Sequence, residues 1–491
     1  MSAAPNPDED YRLLIGGAWV TAGDGTYDIV NPATEELVGA APEASVDQAN
    51  AAVEAAADAF ETWARTKPEE RAALLDRAAD LIDEHAEELV PLVVAETGAT
   101  LRTTSTIQVP QAAARLRRYA QGAMEPTIDP LPPSVMPSTA LAPGGLISAA
   151  VNRAPVGVVA CITSYNFPMV NMAGKIGPAL AMGNPVVVKP APQDPLAVIR
   201  MVELMNEAGF PPGVINVVVG SEVAPSEAVV SHPRTDMVSF TGSTPVGQRI
   251  GSVAGGSNKR LLLELGGKGA CIVREDADLK AAIGGISSVW AFHSGQICTA
   301  PTRVIVHRSI HDHLVGGLQK AAEHMTVGDP NEKTTVVGPL ISAVQRARVE
   351  DLVQTGRDQG AEVAVGGGRG EQERGFYFEP TLMVGCEPHM TPVKEEFFGP
   401  VVVVVPYDDD EEAISIANDS DYGLYSYVFS ADAGKAWSIA KRLRSGNVGL
   451  NTLQRNHEAP FGGFKQSGVG RDGGSYGLLA YSELQSIVWS T

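Results

Sequence analysis

The stretch 157–240 decides the fold: GVVACI (157–162), PVVVK (185–189), VINVVV (214–219) and MVSF (237–240) recur as short β-branched runs. These runs are almost wholly apolar instead of alternating, the pattern of strands buried on both faces. Helix-like stretches fill the gaps. In the clearest, 194–208, Asp194 is placed to cap, Pro195 falls in the first turn, Leu196, Ile199 and Val202 share a face, and Gly209 follows. Strands alternating with helices at roughly 25–30 residues per unit predict βαβ crossovers and a parallel sheet covered on both sides.

Upstream the pattern is helical. Ser45 and Gln48 form a capping box, and Ala49, Val53, Ala56, Phe60 and Trp63 follow at helical spacing. Thr66 with Glu69 and Pro68 reads as a second start, with Leu74, Ala78, Leu81 and Ile82 on one face and Gly98 as the stop. A proline-rich break at 126–137 precedes a strand-like run at 146–151. Downstream, ACIV (270–273), RVIV (303–306), VVVVV (401–405) and SYVF (426–429) predict a second α/β domain. The apolar tail 486–489 reads as an edge strand that needs a partner. The acidic run 408–412 reads as a solvated helix start.

Composition narrows the function. The 491 residues carry a net charge of −21, which leaves no footprint for nucleic acid or an anionic lipid surface. With 44% hydrophobic and 19% charged residues, a large core can form. No apolar run nears the roughly 18 residues of a membrane helix. Residues 1–10 carry acid and proline in place of a basic, then apolar, secretion signal. Four cysteines, at 161, 271, 298 and 386, are too few for a disulfide framework, so a reducing cytoplasm is expected.

Context separates those cysteines. Cys161 and Cys271 lie inside strand-like runs and read as core thiols; Cys386 reads as a loop thiol with no activating neighbour. Cys298, in HSGQICTAPT, is flanked by small and turn-forming residues, where a thiol can be exposed and act as a nucleophile. Attack on a carbonyl also needs oxyanion donors and a means of discharging the intermediate. Asn166, after the first strand of the parallel sheet, is a candidate donor, or an ordinary turn residue before Pro168. Glu264, ending the apolar LLLEL run before two glycines, is a candidate base whose pKa burial would raise.

Together these segments resemble the NAD(P)-dependent aldehyde dehydrogenase superfamily over nearly the whole chain. The matching segments are SYNFP (164–168), GPALAMGN (177–184), VVVKP (186–190), SFTGST (239–244), LELGGK (263–268), GQICTA (295–300), EEFFGP (395–400) and PFGGFKQSGVGR (460–471). The resemblance implies that Cys298 is the nucleophile, that its peptide N–H and the Asn166 amide form the oxyanion hole, and that Glu264 activates water. Lys175 falls where the family has a lysine near the catalytic centre. Glu396 matches the nicotinamide-ribose residue, Phe398 packs near the nicotinamide, and Lys189 matches the adenosine-ribose lysine. Gly242, Ser243 and Gly247 match the turn and helix start that suit a pyrophosphate. Thr163, Ser164, Tyr165, Gly220 and Leu265 are implied as further cofactor positions.

Three departures stand out. Ser164-Tyr165 replaces the family's usual Pro-Trp. Pro192 stands where NAD-preferring members often carry glutamate, so NAD is expected with NADP also admitted. Gly174 stands near where a large aromatic often occurs, which implies room for a bulkier aldehyde. Met169, Ile297 and Thr299 are implied as pocket residues. Arg455 is either a partner for a substrate carboxylate or a solvent-exposed arginine. His307, His311 and His313 are read as a solvated face, not a metal site, and no metal is expected.

The resemblance implies a Rossmann-like dinucleotide-binding domain at 1–132 and 156–264. It places an α/β catalytic domain at 265–470 and a β-strand oligomerisation arm at 133–155 and 471–491. A homodimer or homotetramer is expected. Two alternatives remain at this point: a CoA-acylating aldehyde dehydrogenase, which tends to lack the base at Glu264, and a non-catalytic protein on the same fold.

Overall fold

A computed structural model describes residues 5–490. One sheet has eight strands in the order Gly468–Val469, Arg260–Glu264, Met237–Thr241, Val159–Ile162, Val186–Lys189, Ile215–Val217, Leu13–Ile15 and Ala18–Val20. The five strands from Arg260–Glu264 to Ile215–Val217 are parallel. The chain enters at Val159–Ile162, winds outward one way to Ile215–Val217, then returns to build the other side from Met237–Thr241. That reversal opens a crevice at the carboxyl ends of Val159–Ile162 and Met237–Thr241, where such sheets bind ligands. Asn166 and Gly242 lie past those strand ends, and Glu264 ends the adjoining strand Arg260–Glu264, opposite Thr241.

The second sheet orders Glu362–Val365, Thr381–Val384, Val401–Tyr407, Arg303–His307, Ala270–Val273, Tyr425–Phe429 and Asn447–Leu450. Its unbroken valine run is explained by its two faces. Val401, Val403 and Val405 join one core with Ala270 and Ile272, while Val402 and Val404 join another with Cys271 and Val273.

A third sheet pairs Ser482–Ser490 with Gly145–Pro155, and Gly145–Pro155 with Ile128–Met136. The tail thus finds a partner within its own chain, on one edge. The proline-rich stretch read as a break is itself a strand; its prolines sit on the sheet's outer strand, with an irregularity between Leu131 and Ser134. Gly468–Val469 adds to the first sheet beside Glu264, and Leu478 and Tyr481 are buried in that domain's core.

The Ser45–Gln48 capping box forms and opens the helix Val46–Ala64. Thr66 does not open the next helix: its hydroxyl donates back to the Thr62 carbonyl at 3.1 Å, and Lys67 precedes Pro68–Glu84 without a side-chain cap. The apolar face continues through Ala86–Thr97 to Gly98, which is left-handed at φ +69°. Asp194 does not cap either. The Leu196 and Ala197 N–H groups donate instead to the Glu96 carboxylate, at 2.9 and 3.0 Å, so a distant helix supplies the cap. Asp409 does cap, accepting from Glu412 N–H at 2.9 Å at the start of Asp410–Asn418. The hairpin Leu13–Ile15 to Ala18–Val20, absent from the sequence reading, turns on Gly16-Gly17, both at positive φ.

Among the described residues, no helix is long and apolar enough to cross a membrane. No group of three or more histidines, cysteines or acids among them is arranged to hold a metal ion.

Candidate active site

Cys298 is presented by a strained turn. His293 (φ +47°), Ser294 (φ +55°) and Gly295 (φ +70°) are left-handed in succession. A side chain at Gly295 would collide with the Gly399 carbonyl. The turn is held by Ser294 Oγ donating to the Gly338 carbonyl at 2.7 Å and by Ile341 N–H donating to Gln296 Oε1 at 3.0 Å. Cys298 is half-exposed, whereas Cys161, Cys271 and Cys386 are buried. Burial pushes the Cys298 thiol up to about 12, with Arg455 the chief opposing charge, so the neutral thiol predominates near neutral pH.

Asn166 is buried and fully oriented. Its Nδ2 donates to the Gln296 carbonyl at 2.9 Å, and its Oδ1 accepts from Ser164 Oγ at 2.8 Å. Gln108 Nε2 fixes its carbonyl at 3.0 Å. One Nδ2 hydrogen is committed to the loop that carries Cys298, which leaves the other free to donate.

Glu264 ends the strand Arg260–Glu264, and both its carboxylate oxygens are buried without a hydrogen-bond partner. Burial first, then Asp472, raises its pKa well above the usual carboxylate range; Lys175 is the first opposing charge. The backbone after it is squeezed on two sides. A side chain at Gly266 would collide with Glu396 Oε2, and one at Gly267 would lie 2.5 Å from the Cys298 carbonyl. The two glycines therefore let the strand ending in Glu264, the loop carrying Cys298 and Glu396 converge. Glu396 accepts from Gly267 N–H at 2.9 Å, and burial lifts its carboxyl to about 7.

Lys175 is buried and donates to Ser239 Oγ at 3.1 Å, which in turn meets Tyr481 Oη at 2.8 Å. Burial lowers its pKa, opposed first by Asp472 and then by Glu264.

The crevice residues fit a dinucleotide. Gly242 N–H donates to the Glu264 carbonyl at 3.0 Å, tying the turn to the base strand. Ser243 precedes the helix Thr244–Gly255 with no side-chain cap, so that helix end keeps free donors. A side chain at Gly247 would collide with Leu265, whose own N–H donates to the Ser467 carbonyl at 3.0 Å. Lys189 Nζ is buried, donates to the Pro190 carbonyl at 2.9 Å, and is brought down to about 8 by burial, opposed by Glu43. A side chain at Gly220 would lie 2.5 Å from Glu43 Oε1. The Tyr165 and Phe398 rings meet edge to face at 5.7 Å, Phe398 being left-handed at φ +50°. Thr163 Oγ1 is buried without a partner, and Pro192 is half-buried.

The substrate side departs from expectation. Gly174 leaves no vacancy: a side chain there would collide with Arg115 Nη1, so the guanidinium fills the space. Met169 is completely buried. Ile297 is half-buried beside Cys298, and the Thr299 carbonyl accepts from Tyr427 Oη at 2.7 Å. Arg455 lies over the Phe461 ring at 3.8 Å. Sequence reasoning missed Arg115 and Asp472. Neither stands in a quoted motif, although Asp472 directly follows PFGGFKQSGVGR.

The sequence pattern of the aldehyde dehydrogenase family matches residues 19–487. The chain belongs to the aldehyde dehydrogenase family. Phenylacetaldehyde dehydrogenase from Pseudomonas fluorescens is 38% identical, with 97% of this chain and 95% of that protein covered. Betaine aldehyde dehydrogenase from Bacillus subtilis (strain 168) is 36% identical, with 98% and 97% covered. A crystal structure of betaine aldehyde dehydrogenase from Staphylococcus aureus in complex with NAD+ is similar at a TM-score of 0.93, with 35% identity and coverage of 98% and 95%.

Proposed function

We propose that this chain oxidises an aldehyde to its carboxylic acid with NAD, through a thioester on Cys298. The observation that carries the reading is the Gly266-Gly267 backbone, which touches Glu396 on one side and Cys298 on the other directly after Glu264. Lys189, Gly242, Ser243, Gly247, Glu396 and Phe398 hold the dinucleotide. When bound, NAD supplies the acceptor for the hydride that leaves the thiohemiacetal carbon.

The chain's own residues do the rest. Cys298 sulfur bonds to the carbonyl carbon as its proton passes to solvent, a loss that a thiol raised by burial makes necessary before attack. The carbonyl oxygen gains the negative charge and accepts from the second Asn166 amide hydrogen and the Cys298 peptide N–H. Once the thioester has formed, Glu264 takes a proton from water, the water oxygen bonds to the acyl carbon, and the carbon–sulfur bond breaks. The acid leaves, and Glu264 passes its proton to the departing sulfur, which restores the thiol and the carboxylate. Lys175 favours the ionised form of Glu264 across their shared surroundings.

The division into a dinucleotide domain (1–132, 156–264), a catalytic domain (265–470) and an arm (133–155, 471–491) belongs to this reading, as do self-association through the arm and a cytoplasmic location. Purified protein given NAD and an aliphatic aldehyde is expected to form NADH and free acid in equal amounts. Acid formation independent of Cys298, tested with Cys298→Ala, overturns the mechanism. Acyl-CoA formation without free acid assigns the chain to the CoA-acylating branch.

A further inference from the structure

The guanidinium beside Gly174 has a counterpart across the site. Arg115 Nη1 donates to the Val170 carbonyl at 3.3 Å and lies 3.9 Å from an Asp472 carboxylate oxygen, with 22% of its side chain exposed. Arg455 has no side-chain hydrogen bond or ion pair among the described residues and lies over the face of Phe461 at 3.8 Å. Phe461 and Asp472 exchange both backbone hydrogen bonds, at 2.7 and 2.6 Å. One two-residue bridge therefore carries the ring under Arg455 and the carboxylate beside Arg115. The loop bearing Arg455 is pinned as well: Arg118 donates to both Glu458 oxygens, at 2.6 and 2.8 Å.

Arg115 meets Asp472 only at a loose 3.9 Å. Arg455, whose charge reaches Cys298 and Glu264, has no ion-pair partner among the described residues. After burial, Arg115 is the strongest influence lowering the Arg455 pKa, and Cys298 is the first that opposes it. A half-buried guanidinium with no ion-pair partner is costly, and a second cation beside it adds to the cost. Arginine forks are matched to carboxylates.

We propose that Arg115 and Arg455 together clamp a carboxylate at the far end of the substrate, making the preferred substrates aldehydes that carry a second, ionised carboxyl group. This rests on the dehydrogenase reading above and sharpens it. The clamp gives Gly174 a purpose: glycine there admits the Arg115 guanidinium that any side chain would displace. It also predicts rejection of cationic aldehydes, the kind for which the betaine aldehyde relatives are named.

The native enzyme with NAD tests this on succinic, glutaric and adipic semialdehydes, on the neutral alkanals of equal length, and on betaine aldehyde. The best semialdehyde is expected to exceed its neutral match in kcat/KM by at least about tenfold, the scale of one charge-assisted hydrogen bond. Betaine aldehyde is expected to be the poorest. Arg455→Gln and Arg115→Gln are each expected to reduce the carboxylate-to-neutral ratio by about tenfold, chiefly through KM for the semialdehyde. A check without variants is competitive inhibition of alkanal oxidation by glutarate and none by glutaramide. Preference for alkanals or betaine aldehyde, or variants that lower both substrates equally, overturns the clamp and leaves dehydrogenase activity standing. Inactivity toward every aldehyde overturns the underlying reading and the clamp with it.

Discussion

The Asn166 side-chain amide donates to the Gln296 carbonyl at 2.9 Å, two residues before Cys298 in the chain. This bond links the two large sheets, since Asn166 follows Val159–Ile162 of the first and Gln296 belongs to the turn before Arg303–His307 of the second. It orients the remaining amide hydrogen without help from substrate, as a preorganised donor requires. Asn166→Ala is therefore expected to lower kcat by about 100–1000-fold, the usual cost of one oxyanion donor. Because the hydrogen bond to Gln296 is lost too, its melting temperature is to be measured beside the kinetics. A kcat within about threefold of native would remove Asn166 from the oxyanion hole.

Glu264 leads to a prediction about the slow step. With no partner for either carboxylate oxygen, its neutral form is favoured, and its pKa lies well above the ordinary carboxylate range. A base works only when ionised, so activity is lost as pH falls through that raised value, not through the usual value near 4.5. The acid limb of kcat should accordingly lie above the normal carboxylate range. Glu264→Gln should remove that limb and leave a burst of NADH, one per active site, followed by little turnover. Mass spectrometry should then find the acyl adduct on Cys298. A variant with full steady-state turnover would transfer the base role elsewhere.

Much of this was legible in the residues, and the failures have a common cause. The β-branched runs forecast the central strands because a strand buried on both faces has few other compositions available. The Ser45–Gln48 box was readable because capping there is local. Asp194 failed because the cap comes from Glu96, about a hundred residues away in sequence. Gly174 failed for the same reason: a missing side chain announces space, and only the fold reveals that Arg115 occupies it. Cys298 and Glu264 stood out because their contexts are locally odd for structural residues. Arg115 and Asp472 were invisible because their meaning lies in what they face.

Cofactor choice turns on the Lys189 corner. The Pro192 side chain offers no acceptor for the ribose hydroxyls, yet the acid that acts on Lys189 is Glu43, which accepts from Ser221 Oγ at 2.7 Å. No arginine stands within KPAP or next to it to receive a 2′-phosphate. One negative charge near that phosphate is worth about tenfold at an intermediate effective dielectric. NAD should therefore exceed NADP in kcat/KM by about that factor. Glu43→Gln should narrow the gap. Equal use of both cofactors by the native enzyme would mean that Glu43 does not reach the site's field.

The arm predicts its own assembly. Ser482–Ser490 pairs with Gly145–Pro155 along nine register positions, so one edge of the tail is satisfied within the chain while the other is open. Along that strand Leu484, Ile487, Val488 and Trp489 remain exposed, and Ile128, Leu131 and Val135 extend the apolar surface on the far strand. An open edge combined with apolar faces is the pattern of an interface between copies. The protein should therefore exceed the 51.5 kDa of one chain in light scattering at micromolar concentration. Leu484→Asp with Val488→Asp places two charges at exposed positions, where they cost the monomer little, and should shift the mass to that of a single chain. A native protein that already scatters as one chain would refute assembly through the arm. A double variant that keeps its native mass would move the interface to another surface.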